Sequence, residues 1–362
     1  MEAYLILENG KVFQGQRFGA SADVTGEIVF TTAMTGYIET LTDPSYFGQI
    51  VVQTFPLIGN YGIISEDFES NAPHVKAYIV KEWCQEPSNF RMEGNLDAFL
   101  KENNIVGLCG IDTRELTKIV REYGVMNGRI MSRPDVSDQL LSEIRDYKIT
   151  GAVAAVTGQK QETMAAEDAI QRVVLWDFGA KENIRRELLK RRCEVVTVPA
   201  GTTAEEILAL QPDGLMLSNG PGDPAENQGI VQQLRLIMKQ KIPTFGICLG
   251  HQLLALSQGA TTEKLKYGHR GANQPVKNIE EGTVFISSQN HGYAVVNDSL
   301  PEGAKLWFVN ANDGTCEGVR YENIPAFSVQ FHPEACGGPH DTNFLFDRFM
   351  SLIKEEKEHA AE

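Results

Sequence analysis

The chain has 362 residues, enough for two domains that each bury a core of their own. Hydrophobic residues make up 42% and charged residues 22%, the balance of a water-soluble globular protein, and a formal net charge of −15 argues against nucleic acid or an anionic membrane surface as partner, since both would repel it. No apolar run approaches the roughly 18 residues of a membrane-crossing helix, the first ten residues lack the basic segment of a secretory signal, and six cysteines at 84, 109, 193, 248, 316 and 336 show neither pairs nor Cys-x-x-Cys spacing, as expected of reduced thiols in a cytoplasm.

In chain order, Ala3–Glu8 reads as a strand that turns at Asn9-Gly10 into a second at Lys11–Phe13. The apolar runs Glu27–Thr31 and Gln49–Thr54 read as further strands. Asp112-Thr113-Arg114-Glu115 opens a helix with Leu116, Ile119, Val120 and Tyr123 on one face and Gly124 as its stop. Residues 148–172 are rich in Ala, Thr, Gly and Gln with weak periodicity, so 151–171 is expected to link a first domain, 1–150, to a second, 172–357.

From Val173 the pattern alternates between strand and helix, as in a parallel sheet covered on both faces. Val173–Asp177 reads as a strand, Lys181–Arg191 as a helix with Ile184 and Leu188 inward, Glu194–Val198 as a strand, and Thr203–Glu206 as a capping box. Asn/Gly turns separate the strands near 283–287, 305–309 and 325–330, so the far side of the sheet is expected to be partly antiparallel. A helix from Asp341 to about Lys354 closes the fold, and the Glu/Lys-rich residues beyond it are expected to fray. The fold class is α/β: a C-terminal domain with a mostly parallel central sheet flanked by helices, after a smaller mixed α/β N-terminal domain.

Three short segments carry chemistry. Pro243-Thr-Phe-Gly-Ile-Cys-Leu-Gly-His-Gln252 is an apolar strand driven into a helix through a turn with Cys248 at its apex. Gly246 and Gly250 flank the cysteine where side chains would clash as the backbone doubles back, a cysteine version of the nucleophile elbow. The helix that follows turns its positive end to the sulfur, which favours a thiolate. A buried structural cysteine in an ordinary strand–turn–helix has the same local pattern. Downstream, Ala326–Phe331 reads as a strand that runs out into His332-Pro333-Glu334. Pro333 cannot extend a ladder, so His332 sits on the strand's terminal edge, with Glu334 able to orient its ring. Alone, such a triplet is more often a surface turn. Upstream, Leu215–Ser218 ends in Asn219-Gly220-Pro221-Gly222-Asp223-Pro224, whose glycines leave N–H groups to face a ligand; a plain turn is the commoner meaning of such a run. If the site transfers acyl groups, the N–H of Gly222 beside that of Leu249 would form an oxyanion hole.

Together, Gly-Ile-Cys248-Leu-Gly-His-Gln, Ser218-Asn-Gly-Pro-Gly-Asp-Pro and Gln330-Phe-His-Pro-Glu-Ala resemble the class I glutamine amidotransferase family. Within it, Ser287-Ser-Gln-Asn-His-Gly-Tyr293, Thr35-Gly36-Tyr37, Leu41-Thr-Asp-Pro-Ser-Tyr46, Pro56-Leu-Ile-Gly-Asn-Tyr-Gly62 and Gly110-Ile-Asp-Thr-Arg114 resemble the small subunits of carbamoyl-phosphate synthases, over nearly the whole chain. The resemblance implies a Cys248–His332–Glu334 triad that hydrolyses glutamine through a thioester. It implies a glutamine pocket of Ser45, Gly220, Gly222, Leu249, Gln252, Asn290, Gly292 and Tyr293, although on the residues alone Asp43-Pro44-Ser45 serves equally well as a simple turn.

The resemblance further implies a larger partner subunit that uses ATP, with Mg, and bicarbonate, receives the ammonia through an enclosed channel and makes carbamoyl phosphate for pyrimidine or arginine biosynthesis, docking on the N-terminal domain. Neither a Walker sequence nor a Gly-rich phosphate loop appears in this chain, so no cofactor is expected here, and the seven histidines form no metal-ligand spacing. His251 and His291 read as structural hydrogen-bonders, and His269 and His340 carry no legible signal. Two positions depart from the family pattern: Cys336 and Gly337 stand where Ser and Pro are usual, which puts a second thiol near the site, and Tyr293 stands where Phe is common. Other readings are the glutaminase partner of anthranilate synthase, which lacks the first 150 residues, a free-standing cysteine hydrolase, and a catalytically dead scaffold.

Overall fold

The Asn9-Gly10 turn joins β1 (Glu2–Leu7) to β2 (Val12–Gly19), with Gly10 at φ 85°, a left-handed value that favours glycine. That hairpin begins the first of two units of the computed structural model, which describes residues 1–361; the first unit is Met1–Thr150 and the second starts at Gly151. The first unit continues with β3 (Val24–Thr31), α1 (Tyr37–Thr42), β4 (Gln49–Gln53), β5 (Leu57–Ile58), β6 (Ala77–Ile79), β7 (Glu82–Trp83), α2 (Leu96–Glu102), β8 (Val106–Cys109), α3 (Thr113–Tyr123), β9 (Met126–Met131) and α4 (Asp138–Arg145). Seven of these strands close into a barrel in the order β1-β2-β8-β6-β4-β3-β9, which leaves the barrel no open edge.

Strand alternation explains the packing of the first unit. Ala3, Leu5 and Leu7 enter one cluster with Ile50, Val52, Ile79 and Leu108, joined by Leu116 and Val120 of α3, while Ile6 faces Leu140, Leu141 and Ile144 of α4. Tyr123, expected on the buried face of α3, is instead 68% exposed, because the helix's final residue lies beyond the cluster that Leu116 and Val120 enter.

The second unit runs α5 (Ala152–Val156), β10 (Glu162–Ala165), β11 (Gln171–Asp177), α6 (Glu182–Lys190), β12 (Cys193–Pro199), α7 (Ala204–Ala209), β13 (Gly214–Leu217), α8 (Gln228–Met238), β14 (Thr244–Ile247), α9 (Leu249–Gln258), β15 (Thr262–Asn278), β16 (Val284–Val295), β17 (Ala304–Asn310), β18 (Cys316–Tyr321), β19 (Ala326–Val329) and α10 (Phe344–Ala361). Its sheet has the order β10-β12-β11-β13-β14-β19-β18-β17-β15-β16. The stretch from β12 to β19 is parallel, and from β18 onward the pairing is antiparallel. One face is covered by Ile207, Leu234 and Leu253 of α7, α8 and α9, the other by Ile184 and Leu188 of α6 with Phe346 and Phe349 of α10.

Several expectations are corrected. Residues 151–171, read as a linker, carry α5 and an edge strand, β10, paired antiparallel to β12; the four residues of β10 are exposed, so no buried alternation marks them in the sequence. β15 and β18 were not anticipated: β15 runs past bulges that break its period-2 pattern. The C-terminal helix begins at Phe344 rather than Asp341 and continues through Ala361 instead of fraying.

Phe349 has no exposed surface and its ring lies 5.9 Å from that of Phe245. Opposite it, Gly214 leaves the room that a Cβ, 2.9 Å from Phe349 Cζ, would fill. Phe349→Ala is expected to cost about 3–5 kcal/mol, a lost ring plus the cavity it leaves, visible as a lower urea midpoint for the second unit. A loss under about 1 kcal/mol would show that α10 does not hold this face.

Candidate active site

Neighbouring parallel strands deliver the central side chains. β14 and β19 pair in register from Thr244↔Ala326 to Ile247↔Val329. Cys248 follows β14 directly, and His332 follows the end of β19 by three residues, so both leave the same carboxyl edge although 84 residues separate them in sequence. Carboxyl ends of parallel strands are where α/β sheets bind ligands. The Cys248 N–H donates to the Val329 carbonyl at 2.9 Å, tying the two strand ends together.

Cys248 has φ 53° and ψ −104°, a strained backbone for an L side chain. Glycines make the turn possible: a Cβ at Gly250 would lie 2.4 Å from the Leu217 carbonyl oxygen, and one at Gly246 would lie 2.8 Å from that of Gly250. α9 begins at the next residue, so its positive amino-terminal end adjoins the sulfur. Cys248 is buried, and its Sγ lies 3.7 Å from the Asn290 carbonyl oxygen.

His332 and Glu334 are also buried, with Nδ1 of His332 2.7 Å from Oε1 of Glu334. A carboxylate there accepts the Nδ1 proton, and Nε2 has no hydrogen-bond partner among the described residues. The His332 backbone N–H donates to the Ser288 carbonyl at 2.9 Å, which fixes the segment against β16. Burial and the Lys181 charge push the imidazole pKa down, but Glu334 and the Cys248 thiol outweigh them and raise it to about 10. Burial pulls Glu334 up, and Lys181 with His332 overcomes this and holds the carboxyl at about 2. The ring is therefore held as an imidazolium against a carboxylate at neutral pH.

Lys181 is the residue that sequence reasoning missed. Its Nζ lies 3.1 Å from Glu334 Oε1, and the side chain is buried. The Lys181 N–H donates to Asn219 Oδ1 at 2.9 Å, while Asn219 Nδ2 donates to the Gly179 carbonyl at 3.0 Å. The Ser-Asn-Gly-Pro-Gly segment thus positions the cation as well as its glycines. A lysine just before a helix had no signal of its own in the sequence.

The expected glutamine-pocket residues come from both units. Gly220 packs on the residue after the cysteine: a Cβ there would lie 2.8 Å from Leu249 Cδ2 and 2.3 Å from the Phe178 carbonyl oxygen. Gly222 has φ 88°. Gln252 Nε2 donates to the Tyr293 carbonyl at 2.7 Å and to Gln330 Oε1 at 2.8 Å, which ties α9 to the Asn290-His-Gly-Tyr293 stretch of β16. Tyr293 is met there through its backbone. Ser45 lies in the first unit, in a 3-10 turn over Pro44–Tyr46, where its N–H donates to Asp43 Oδ1 at 2.9 Å.

His291 directs Nδ1 to the Tyr293 carbonyl at 2.8 Å, and burial holds its pKa well below the usual imidazole range. His251 lies 2.8 Å from Ser328 Oγ, and burial lowers it to about 3. Both rings are neutral. The structure also gathers His269, His291 and Glu317 from three strands, with one ligand atom from each within 4.8 Å of the others, a grouping the spacing did not reveal. His269 places Nε2 2.9 Å from Asp313 and Nδ1 3.3 Å from Glu317, so carboxylates already occupy both its nitrogens. That donor set reads as a ring bridging two acids; burial lowers the ring's pKa, and Glu317 and Asp313 outweigh this and raise it. Among the described residues no helix is long and apolar enough to cross a membrane.

Two family models match the chain: the carbamoyl-phosphate synthase small chain, CPSase domain, over residues 5–130, and glutamine amidotransferase class-I over residues 174–352. The carbamoyl phosphate synthase small chain of Bacillus anthracis is 52% identical over 363 residues, covering 100% of this chain and 99% of that protein. That of Lactococcus lactis subsp. cremoris (strain MG1363) is 48% identical over 358 residues, 98% of each. That of Clostridium perfringens (strain 13 / Type A) is 49% identical over 350 residues, 97% of this chain and 99% of that one.

Proposed function

The chain belongs to the family of carbamoyl phosphate synthase small chains, glutamine-hydrolysing subunits, and on that premise we propose that Cys248, His332 and Glu334 release ammonia from glutamine for a larger synthetase subunit. Cys248, as the thiolate whose proton His332 Nε2 already holds, attacks the side-chain amide carbon. Negative charge gathers on the former amide oxygen, where the N–H groups of Gly222 and Leu249 stabilise it, each donor contributing about 10²–10³ in rate. His332 protonates the departing nitrogen, ammonia leaves and a glutamyl thioester remains on Cys248. Water, deprotonated by His332, then releases glutamate. Glu334, held ionised by Lys181, orients the ring and offsets its charge.

The observation that supports this reading most is the buried His332–Glu334 pair, one strand from a cysteine on a strained elbow, with Nε2 left for the thiol. Ser45, Gly220, Gln252, Asn290, Gly292 and Tyr293 would hold the substrate's amino-acid end. Residues 172–357 would do this chemistry and 1–150 would dock the partner. ATP and Mg would act on the partner, and the carbamoyl phosphate would feed pyrimidine or arginine synthesis in the cytoplasm. A closed route for ammonia has a physical reason, since ammonia that reaches neutral water becomes ammonium and has no lone pair to attack.

Reconstitution with a family large subunit tests the proposal. Carbamoyl phosphate formation from ammonia should need the large subunit alone, and formation from glutamine should need both chains. Glutamine-dependent synthesis without this chain would refute it.

A further inference from the structure

β15 and β16 set His269 directly opposite His291, and the two rings meet edge to face with centroids 4.9 Å apart. Glu317 of β18, with no exposed surface, completes the group. The hydrogen bonds around these residues leave lone pairs facing lone pairs. His291 donates its Nδ1 proton to the Tyr293 carbonyl at 2.8 Å, so in the neutral ring Nε2 carries a lone pair. That nitrogen faces Gln289 Oε1 at 3.1 Å. Turning the amide would only move the conflict. Ser287 Oγ donates to the Gln274 carbonyl at 3.0 Å, so it accepts from Gln289 Nε2 at 3.2 Å and would meet Oε1 if the amide flipped.

His269 repeats the pattern. Its Nε2–H points to Asp313 Oδ2 at 2.9 Å, which leaves the Nδ1 lone pair 3.3 Å from Glu317 Oε1. Asn310 Nδ2 donates to that oxygen at 3.2 Å and stands 3.5 Å from Nδ1, at the far limit of a hydrogen bond. Glu317 Oε2 has no hydrogen-bond partner among the described residues. A second proton on one ring would relieve one contact, but two buried imidazoliums this close repel each other. A divalent cation relieves both contacts at once. Bonds of about 2.0–2.2 Å to nitrogen and oxygen, meeting near the tetrahedral angle, put ligand atoms about 3.3 Å apart. Both facing pairs are close to that separation. The far ring protons already rest on a backbone carbonyl and a carboxylate, the outer partners that orient metal-bound histidines. Glu317 and Asp313 together balance a charge of +2.

We propose that His269 Nδ1, His291 Nε2 and Glu317 Oε1, with Gln289 Oε1 as the fourth donor, form a tetrahedral site for a divalent cation of the zinc class. The mixed nitrogen and oxygen donors suit such an ion better than magnesium or calcium, which take oxygen ligands in higher number. The site is structural, because protein atoms fill all four positions and leave none for a substrate. It fastens β18 to the β15–β16 pair. β16 is also the strand that carries Asn290, whose carbonyl oxygen lies 3.7 Å from Cys248 Sγ, so the cation holds that wall of the catalytic site in place.

The test strips the full chain with a chelator, then titrates it with Zn²⁺ against a competing indicator and with Co²⁺ followed by absorbance. One ion should bind per chain. Co²⁺ should show the strong visible bands of four-coordination and no thiolate-to-cobalt band in the near ultraviolet. Zn²⁺ at about 100-fold over its Kd should raise the melting temperature by about 5–10 °C. Glu317→Gln should weaken binding by about 100-fold or more, since it removes the charged ligand. Asp313→Asn changes a half-exposed side chain outside the ligand set, so it should fold as the wild type does and bind about 10- to 100-fold more weakly. No uptake by the wild type, six-coordinate or thiolate-bound Co²⁺, uptake without a rise in melting, or unchanged affinity in either variant would each overturn the site. None of these readouts uses glutamine, so the function proposed above stands or falls separately.

Discussion

Cys248→Ala is expected to remove glutamine hydrolysis almost completely, by about 10⁴-fold or more, because on the proposed mechanism this thiol alone forms the thioester. Ammonia-dependent synthesis by the complex should survive, since that half of the reaction does not use the thiol. The fold should survive too: alanine keeps the Cβ and only empties the space of one sulfur. Cys248→Gly separates strain from chemistry. Position 248 has φ 53°, where an L residue pays about 1–2 kcal/mol that glycine does not. The glycine variant should therefore be as inactive as the alanine one yet melt higher. Measurable thioester chemistry in Cys248→Ala would overturn the nucleophile assignment, and equal melting of the two variants would show that the elbow is not strained.

That trade between strain and chemistry also explains which parts of the molecule the sequence made legible. The elbow needs two glycines at fixed offsets, because the Cβ positions at 246 and 250 are filled by backbone oxygens, and such a constraint is written in residue identity. The His332-Pro-Glu334 unit is equally local. The capping box at Thr203–Glu206, with both reciprocal hydrogen bonds, is another local device read correctly. What could not be read is what pairing across the fold creates. Lys181 meets Glu334 only once β11 and β19 lie in one sheet with β13 and β14 between them, and His269 finds Asp313 and Glu317 only through strands that bulge. The seven-stranded closure of the first unit was hidden for a similar reason: parallel pairs such as β3 with β4 and β4 with β6 leave no turn motif to announce them.

Lys181 and Glu334 should show the second-largest effects, and together they distinguish catalysis from scaffolding. Glu334→Gln keeps an acceptor for the Nδ1 proton but removes the charge that balances the imidazolium, and a loss of about 10²–10⁴ in glutaminase rate is expected. It also leaves the Lys181 ammonium, 7% exposed, without its carboxylate. Breaking a buried ion pair by removing one partner costs about 3 kcal/mol or more. Adding Lys181→Met removes the cation as well, so the double variant should regain most of that stability while staying inactive. The pH dependence follows from the same pair. Glu334 is depressed in the folded chain to about 2, so its contribution is present above the usual carboxylate range and is lost as pH falls toward about 2. His332 is raised to about 10, so its contribution is full below the ordinary imidazole pKa and drains away as pH rises toward about 10. Wild-type stability should thus decline across that alkaline span, and Glu334→Gln should flatten the decline, because without the carboxylate His332 has far less reason to keep its proton. A double variant no more stable than Glu334→Gln, with an unchanged alkaline slope in both, would mean that the lysine and carboxylate are not coupled and that Glu334 acts only as a hydrogen-bond acceptor.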